Sequence, residues 1–156
     1  AMATSKLPLA EGLLTGSLEN QLKYYVWRHP EPPGYCELRL FVAVGSWCEN
    51  DSESGLAHFV EHMAFKTTAR FNEQGSVIRF LETKGAQYGH DLNASTGLFD
   101  TVYKFQIPIR EGLDSITDGL TVLAEWASGI QATEVDVETE KPVIREEWRT
   151  KRGARE

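Results

Sequence analysis

The first part of the chain carries the alternation of apolar and polar positions that is typical of β-strands. Leu38, Leu40 and Val42 fall on one side of a pleated segment and alternate with Glu37, Arg39 and Phe41. A period of two gives a strand one apolar face that can pack on a core. Three prolines in residues 30–34 predict a loop, because proline donates no ladder hydrogen bond. Three strands are therefore predicted, over residues 13–18, 22–28 and 35–44.

After a polar loop at residues 45–54, the apolar spacing changes to that of a helix. Leu56, Phe59, Val60 and Met63 recur at intervals of three and four, which places them on one helical face. This helix is expected to begin near residue 55, where the hydroxyl of Ser52 or Ser54 could cap its first turn. Three more helices are predicted, over residues 72–84, 110–128 and 133–152.

Two features complete the predicted set of elements. Residues 87–92 and 101–107 have strand character and form a hairpin-like pair between the second and third helices. Pro142 lies inside the last predicted helix, so we expect a kink there or a later helix start.

The order of elements, β-β-β-α-α-β-β-α-α, indicates the fold class. Strands and helices do not alternate one for one, which argues against a doubly wound parallel sheet. We therefore predict an α+β fold with a mixed, mainly antiparallel sheet and helices packed on one face. With 156 residues the chain is long enough for one domain. Residues 1–5 are interpreted as a cloning remnant, and residues 6–156 as a single domain truncated at its end.

Composition excludes some classes of function. The formal net charge of −7 and the scattered basic residues argue against nucleic-acid binding. No apolar run approaches the roughly 20 residues of a membrane helix, so no membrane span is expected. Cys36 and Cys48 are expected to be free thiols, although a bridge between them stays open. The compartment is not indicated, because a targeting segment could have been removed, and a periplasmic or organellar location is compatible with the sequence.

The segment from residue 58 to residue 62, His-Phe-Val-Glu-His, carries the clearest chemical signal. His58 and His62 are four residues apart, so a helix places both imidazoles on one face, where they can share a metal ion. Glu61 borders the same face without a ligand position, which suits a general base acting on metal-activated water. The pattern is the inverted form of the H-E-x-x-H zinc motif.

The five-residue motif alone does not decide between a metal site and a solvated helix face. Its apolar neighbours indicate a largely buried helix, and buried histidines need partners. Catalytic zinc has three protein ligands, so a third ligand must come from elsewhere in the chain. A purely structural zinc is disfavoured, because such sites usually fill all four positions with cysteine or histidine. The candidates for the third ligand are the acidic run 134–140, Glu146, Glu147 and His90.

Three ordered blocks make the chain resemble the inverted-motif zinc peptidases of the pitrilysin and insulin-degrading type, which include mitochondrial processing peptidase. The first block is SGLAHFVEHMAFK at residues 54–66. The second is formed by Gly-Ala at 85–86 with LNAST at 92–96 and DTVY at 100–103. The third is ETEKPVIREEWR at 138–149. The resemblance extends over nearly the whole chain from Leu14 and is strongest to the bacterial and organellar branch.

The resemblance implies specific site residues. The spacing in the family places the third zinc ligand at Glu138, which would complete a site for one Zn²⁺ per chain with His58 and His62. Family members bind the substrate as an added strand, which by analogy assigns peptide binding to the segment at Asn93 and Ala94.

The resemblance also implies a function, a zinc-dependent endopeptidase in which Glu61 is the general base and peptides or unfolded proteins are the substrates. Intact family members are built from two homologous halves or two subunits. The alternative is therefore a fragment that binds zinc but is inactive until it meets a homologous C-terminal half or a partner subunit. Apolar surface exposed by truncation would also favour self-association of the chain.

Overall fold

The computed structural model describes residues 9–110 and 112–153, in two compact units. The first unit ends at Pro33 and contains an antiparallel hairpin of β1 (Leu13–Ser17) and β2 (Lys23–Trp27). Leu13 pairs with Trp27 and Ser17 with Lys23. These two strands were both predicted.

The second unit contains the remaining elements, in chain order β3 (Tyr35–Val42), α1 (Leu56–Met63), β4 (Thr67–Thr68), α2 (Ser76–Thr83), β5 (Leu92–Thr96), β6 (Thr101–Pro108), α3 (Leu113–Ser128), β7 (Ile130–Gln131) and α4 (Glu134–Gly153). Strands β3, β6 and β5 form an antiparallel sheet in that order, with β6 in the centre. The short strands β4 and β7, which the sequence pattern did not reveal, form a separate antiparallel pair.

Helices cover one face of the three-stranded sheet. The alternate residues of β3 and β6 that point to this face are buried, whereas Arg39 and Lys104 on the other face are exposed. Gly119 of α3 lets the helix approach closely, because a Cβ atom there would lie 3.1 Å from the Leu38 side chain. The core residues are Leu38, Leu40, Ala64, Val77, Leu81, Ala86, Leu92, Tyr103, Phe105, Ile107, Val122 and Trp126. The predicted α+β class, with helices on one face of an antiparallel sheet, is therefore confirmed.

The predicted strand over residues 87–92 is wrong, because the strand begins at Leu92 and continues to Thr96. The preceding residues form a turn instead. The Asp91 carboxylate accepts the backbone N–H of Gln87 at 2.9 Å, and the Asp91 N–H donates to the Gln87 carbonyl at 2.8 Å. Gly89 adopts a positive φ of 81°, which turns the chain before it can enter the sheet. The predicted pairing with the next strand is correct.

The N-terminus of α1 also differs from the prediction, because neither Ser52 nor Ser54 caps it. Gly55 is the N-cap residue, with φ 90°, and has no side chain to supply a cap. The cap comes from further back in the chain, where Glu49 accepts the backbone N–H groups of Gly55 at 2.8 Å and Ala57 at 2.7 Å. A residue outside the usual window thus satisfies the helix end.

The C-terminal end of α1 is held by the core. The indole Nε1–H of Trp126, a buried residue of α3, donates to the Ala64 carbonyl at 2.9 Å. Because Ala64 directly follows α1, this bond ties the helix end to α3.

Two further expectations concern α4 and the cysteines. Helix α4 begins at Glu134, one residue after the predicted start, and continues through Pro142. Cys36 and Cys48 are both free, as expected. Cys36 pairs with Ile107 at one end of the β3–β6 ladder, whereas the N–H of Trp47, next to Cys48, binds Leu98 beyond the other end, so the strand separates the two cysteines. Burial raises the pKa of the Cys36 thiol, and the charge of Glu37 adds to this effect.

No described helix has the length and apolar character needed to cross a membrane.

Candidate metal centre

The two histidines of the inverted motif face each other across one turn of α1. Their Nε2 atoms are 3.2 Å apart, and their ring planes meet at 83°. Both side chains are only partly exposed. Two imidazole nitrogens at this separation can bind one ion between them.

The third group of the cluster is Glu147, which lies on α4. Its Oε2 atom is 3.6 Å from Nε2 of His58, and its Oε1 atom is 3.7 Å from Nε2 of His62. Among the described residues, these three form the group that could hold a metal ion. A tetrahedral zinc ion with bonds of about 2.0–2.2 Å requires ligand atoms roughly 3.3–3.6 Å apart. The two histidine nitrogens, 3.2 Å apart, and the two Glu147 contacts, 3.6 Å to Oε2 and 3.7 Å to Oε1, lie within about 0.1 Å of this range.

Glu138, the third ligand implied by the family spacing, is not brought to the histidines. Its side chain is 63% exposed and forms an ion pair with Lys141. Glu138 and Glu147 are nine residues apart, which corresponds to opposite sides of a helix with 3.6 residues per turn. Since Glu147 faces α1, Glu138 faces away from it. The structure therefore places Glu147, and not the expected Glu138, beside the two histidines.

Glu140 lies on the same side of α4 as Glu147 and fixes the orientation of His62. Its Oε1 atom is 2.7 Å from Nδ1 of His62, and its Oε2 atom forms an ion pair with Lys66. Burial alone would raise the pKa of this carboxyl, but the bonds from Lys66 and His62 outweigh burial and lower it. The Glu140 anion therefore accepts the Nδ1 proton of His62, which leaves Nε2 free to act as a ligand.

Glu61 is buried beside this cluster, at 8% exposure. The Thr96 hydroxyl of β5 donates to its Oε2 atom at 2.5 Å. Thr101 connects to the same network, with its hydroxyl 3.4 Å from that of Thr96 and 2.9 Å from the Val44 carbonyl. Burial and the charge of Glu61 raise the pKa of Tyr103 to about 12, so the phenol stays neutral beside the carboxylate.

A cavity of about 450 Å³ opens in front of these groups. Strand β5 forms one wall of the cavity, including Asn93, Ala94 and Thr96. Among the described strands it pairs with β6 alone, and its first residue, Leu92, also forms an isolated bridge with Tyr88. The Asn93 carboxamide oxygen accepts the N–H of Ala94 at 2.9 Å. The structure thus brings the expected substrate segment next to the histidines and Glu61.

Sequence reasoning did not identify every residue of the site. His90, one candidate for the third ligand, is 83% exposed and binds Asp91 instead. Thr96 and Lys66, which hold Glu61 and Glu140, carried no local signal, because their partners are distant in sequence. Glu147 was one of several acidic candidates. Its spacing of seven residues from Glu140, with Ile144 between them, puts all three on one helical face, but the sequence alone does not show that this face turns toward α1.

Comparisons with known proteins show the family of the chain. The sequence profile of the insulinase family, Peptidase family M16, matches residues 25–152. The chain is 34% identical to the probable zinc protease PqqL of Escherichia coli, over 99% of the chain and 16% of the relative. It is 37% identical to the zinc protease PQQL-like of Arabidopsis thaliana, over 89% of the chain and 14% of the relative.

A solved structure gives the same result. The crystal structure of the first half of the periplasmic protease PqqL from Escherichia coli superposes with a TM-score of 0.87 and 36% sequence identity. It covers 94% of this chain and 31% of that chain. The present chain therefore spans about one sixth of the curated relatives that it matches. Family profile, relatives and fold lead to one conclusion: the chain belongs to the insulinase family of zinc peptidases, peptidase family M16.

Proposed function

We propose that the chain is the zinc-binding catalytic part of an endopeptidase, with His58, His62 and Glu147 as the ligands of one Zn²⁺ and Glu61 as the general base. The observation that carries the proposal is the convergence of three ligand groups and one further buried carboxylate on a cavity walled by an edge strand. A structural zinc site has all four positions filled by protein ligands, so it requires neither an adjacent buried carboxylate nor an open cavity.

Bound zinc would lower the pKa of a water molecule toward ~7 and polarise a substrate carbonyl. Glu61 accepts the proton of that water and later delivers it to the nitrogen of the leaving amine. Thr96 occupies one oxygen of the Glu61 carboxylate and thereby fixes its plane, so the second oxygen serves the proton transfer. Glu140 holds His62 in the tautomer whose Nε2 lone pair faces the ligand position.

The same proposal assigns peptide binding to β5. An extended peptide can add to a strand edge through main-chain hydrogen bonds, which gives affinity with little dependence on side chains. Asn93 and Ala94 lie on this edge and line the cavity. A peptide bond bound here lies next to Glu61 and the histidines, as hydrolysis requires. Peptides and unfolded proteins are the substrates that can supply such an extended segment.

A second candidate function is a zinc-binding fragment that is inactive alone. It is supported by the small share of the relatives' length that the chain spans, and by the partly exposed Glu147, which leaves one side of the site uncovered. A homologous C-terminal half or a partner subunit would then complete the cavity and exclude water from it.

Zinc content and peptide hydrolysis together test the proposal. We expect about one zinc per chain by elemental analysis, and zinc-dependent cleavage of an unstructured fluorogenic peptide. Cleavage by the chain alone would support the first function. Cleavage only after a homologous second half is supplied as a separate polypeptide would support the second. A chain that binds no zinc when the metal is added would contradict both.

The role of the β5 edge has its own test. Replacing Asn93 by alanine should lower kcat/KM by about fivefold, mainly through a higher KM. The change removes the carboxamide that binds the Ala94 N–H and holds the edge in place, and one neutral hydrogen bond contributes about 1 kcal/mol. The assay uses the form that hydrolyses peptide. His90→Ala, which changes an exposed residue of the neighbouring turn, is the matched control and should leave KM unchanged. Equal KM values for Asn93→Ala and wild type would show that the Asn93 side chain does not contribute to peptide binding.

A further inference from the structure

The helix that carries the metal ligands is capped by one distant residue. Glu49 uses both carboxylate oxygens, Oε2 for the N–H of Gly55 and Oε1 for the N–H of Ala57. Gly55 provides no side-chain cap of its own. A carboxylate at a helix N-terminus also interacts favourably with the helix dipole. The beginning of α1 is therefore fixed by a side chain that belongs to the preceding loop.

The residues that follow this cap in α1 include the two candidate histidine ligands and the candidate base. His58 lies in the first turn of α1, one residue after Ala57, and Glu61 and His62 follow within one further turn. Because the helix has only eight residues, a displacement of its first turn moves all three side chains. The cap thus acts on the metal cluster through the helix backbone.

The loop that carries Glu49 is attached to the strand that forms the cavity wall. Ser46 N–H donates to the Gly97 carbonyl at 3.1 Å, and Trp47 N–H donates to the Leu98 carbonyl at 2.8 Å. Gly97 directly follows β5. The Glu49 N–H in turn donates to the Ser46 carbonyl at 3.3 Å. A continuous chain of hydrogen bonds therefore leads from the end of β5 through the loop to the first turn of α1.

We propose that Glu49 is a positioning residue that sets the location of α1 relative to β5, and so brings the metal-binding histidines to the peptide-binding edge. This inference rests on the proposed function, since it assigns the alignment of the two walls of that site. The bonds described for Glu49 go to the backbone N–H groups at the beginning of α1. Its effect is transmitted through the N-terminus of the helix.

The other acidic residues of the loop do not cap α1, so one of them provides a control for substitutions of Glu49. The Glu53 carboxylate accepts the N–H of Asn50 in a local capping box, three residues away. Asp51 and Glu53 lie in one short 3₁₀ helix, Asp51–Glu53, and Asp51 is exposed. Asp51→Asn removes one negative charge from the loop, as Glu49→Gln does, without changing the cap of α1.

The test measures Zn²⁺ affinity by competition with a chelator, and the visible absorption of bound Co²⁺ as a report on ligand geometry. Glu49→Ala should weaken Zn²⁺ binding about tenfold, at the low end of the effect of outer-shell residues. Glu49→Gln keeps one acceptor oxygen and should lose about threefold. Both variants should change the Co²⁺ spectrum, whereas Asp51→Asn should match wild type in both measurements.

Circular dichroism identifies folded variants before these measurements are compared. If Glu49→Ala does not fold, the nearly isosteric Glu49→Gln decides the question. Wild-type Zn²⁺ affinity and an unchanged Co²⁺ spectrum in a folded Glu49 variant would overturn the positioning role, and so would an equal loss in Asp51→Asn. A wild-type chain that binds no Zn²⁺ would instead refute the proposed function, so the two failures are distinguishable.

Discussion

Replacing Glu147 by glutamine should weaken Zn²⁺ binding by at least about a hundredfold. Mutation of a residue that only hydrogen-bonds to a metal ligand costs up to about a hundredfold in affinity, and loss of a ligand itself should cost at least as much. The amide oxygen is a poorer zinc ligand than a carboxylate oxygen and contributes no charge. Two histidines remain, which is one ligand fewer than catalytic zinc sites normally have. Chelator competition under matched buffer conditions measures the change directly.

Glu138→Gln is the matched control, because it makes the same chemical change nine residues earlier on the same helix. Its side chain is mostly exposed and pairs with Lys141, so Zn²⁺ affinity should stay within about twofold of wild type, as expected for a surface ion pair. The reverse result, with zinc lost from Glu138→Gln and kept by Glu147→Gln, would establish the ligand that the family spacing implied and exclude Glu147.

Glu61→Gln should abolish most hydrolysis while leaving zinc in place. A positioned general base contributes about 10²–10⁴-fold to the rate, and glutamine is close to glutamate in size but cannot accept the proton. The rate of peptide cleavage and the zinc content should be measured on the same preparation. Zinc content equal to wild type shows that the loss concerns proton transfer.

Glu73→Gln is a suitable control for this experiment, because its carboxylate is 82% exposed and pairs only with Arg79 among the contacts described for it. It should retain full activity. A Glu61→Gln protein that still cleaves peptide at the wild-type rate would refute the role of Glu61 as base. A variant that loses zinc as well would indicate that Glu61 supports the metal site.

The family, the fold class and the α1 cluster were predicted because each depends on local patterns. The spacing of His58, Glu61 and His62 fixes their common face as soon as a helix forms, whatever the rest of the chain does. The alternating residues of β3 and β6 likewise indicate one buried sheet face. The predicted family membership is confirmed by the profile match.

The turn before β5 and the cap of α1 were not predicted, because each depends on one side chain that binds the backbone several residues away. The pattern of residues 87–91 is compatible with a strand. The segment forms a turn instead, because the side chain of Asp91 binds the backbone of Gln87. The sequence offered Ser52 and Ser54 as caps within the usual window. Glu49 performs this function from six residues before Gly55, because the intervening loop folds back on the helix.

The sequence by itself determined which helix holds two candidate ligands and a candidate base, since that follows from the periodicity of one segment. Only the tertiary structure decided which acid of α4 faces them. Helix α4 turns inward a stripe that includes Asp136, Glu140, Ile144 and Glu147. Because this stripe is largely polar, hydrophobic patterning gave no guide to the rotation of the helix. Packing against α1, with His62 and Lys66 binding Glu140, sets that rotation and places Glu147 beside the histidines.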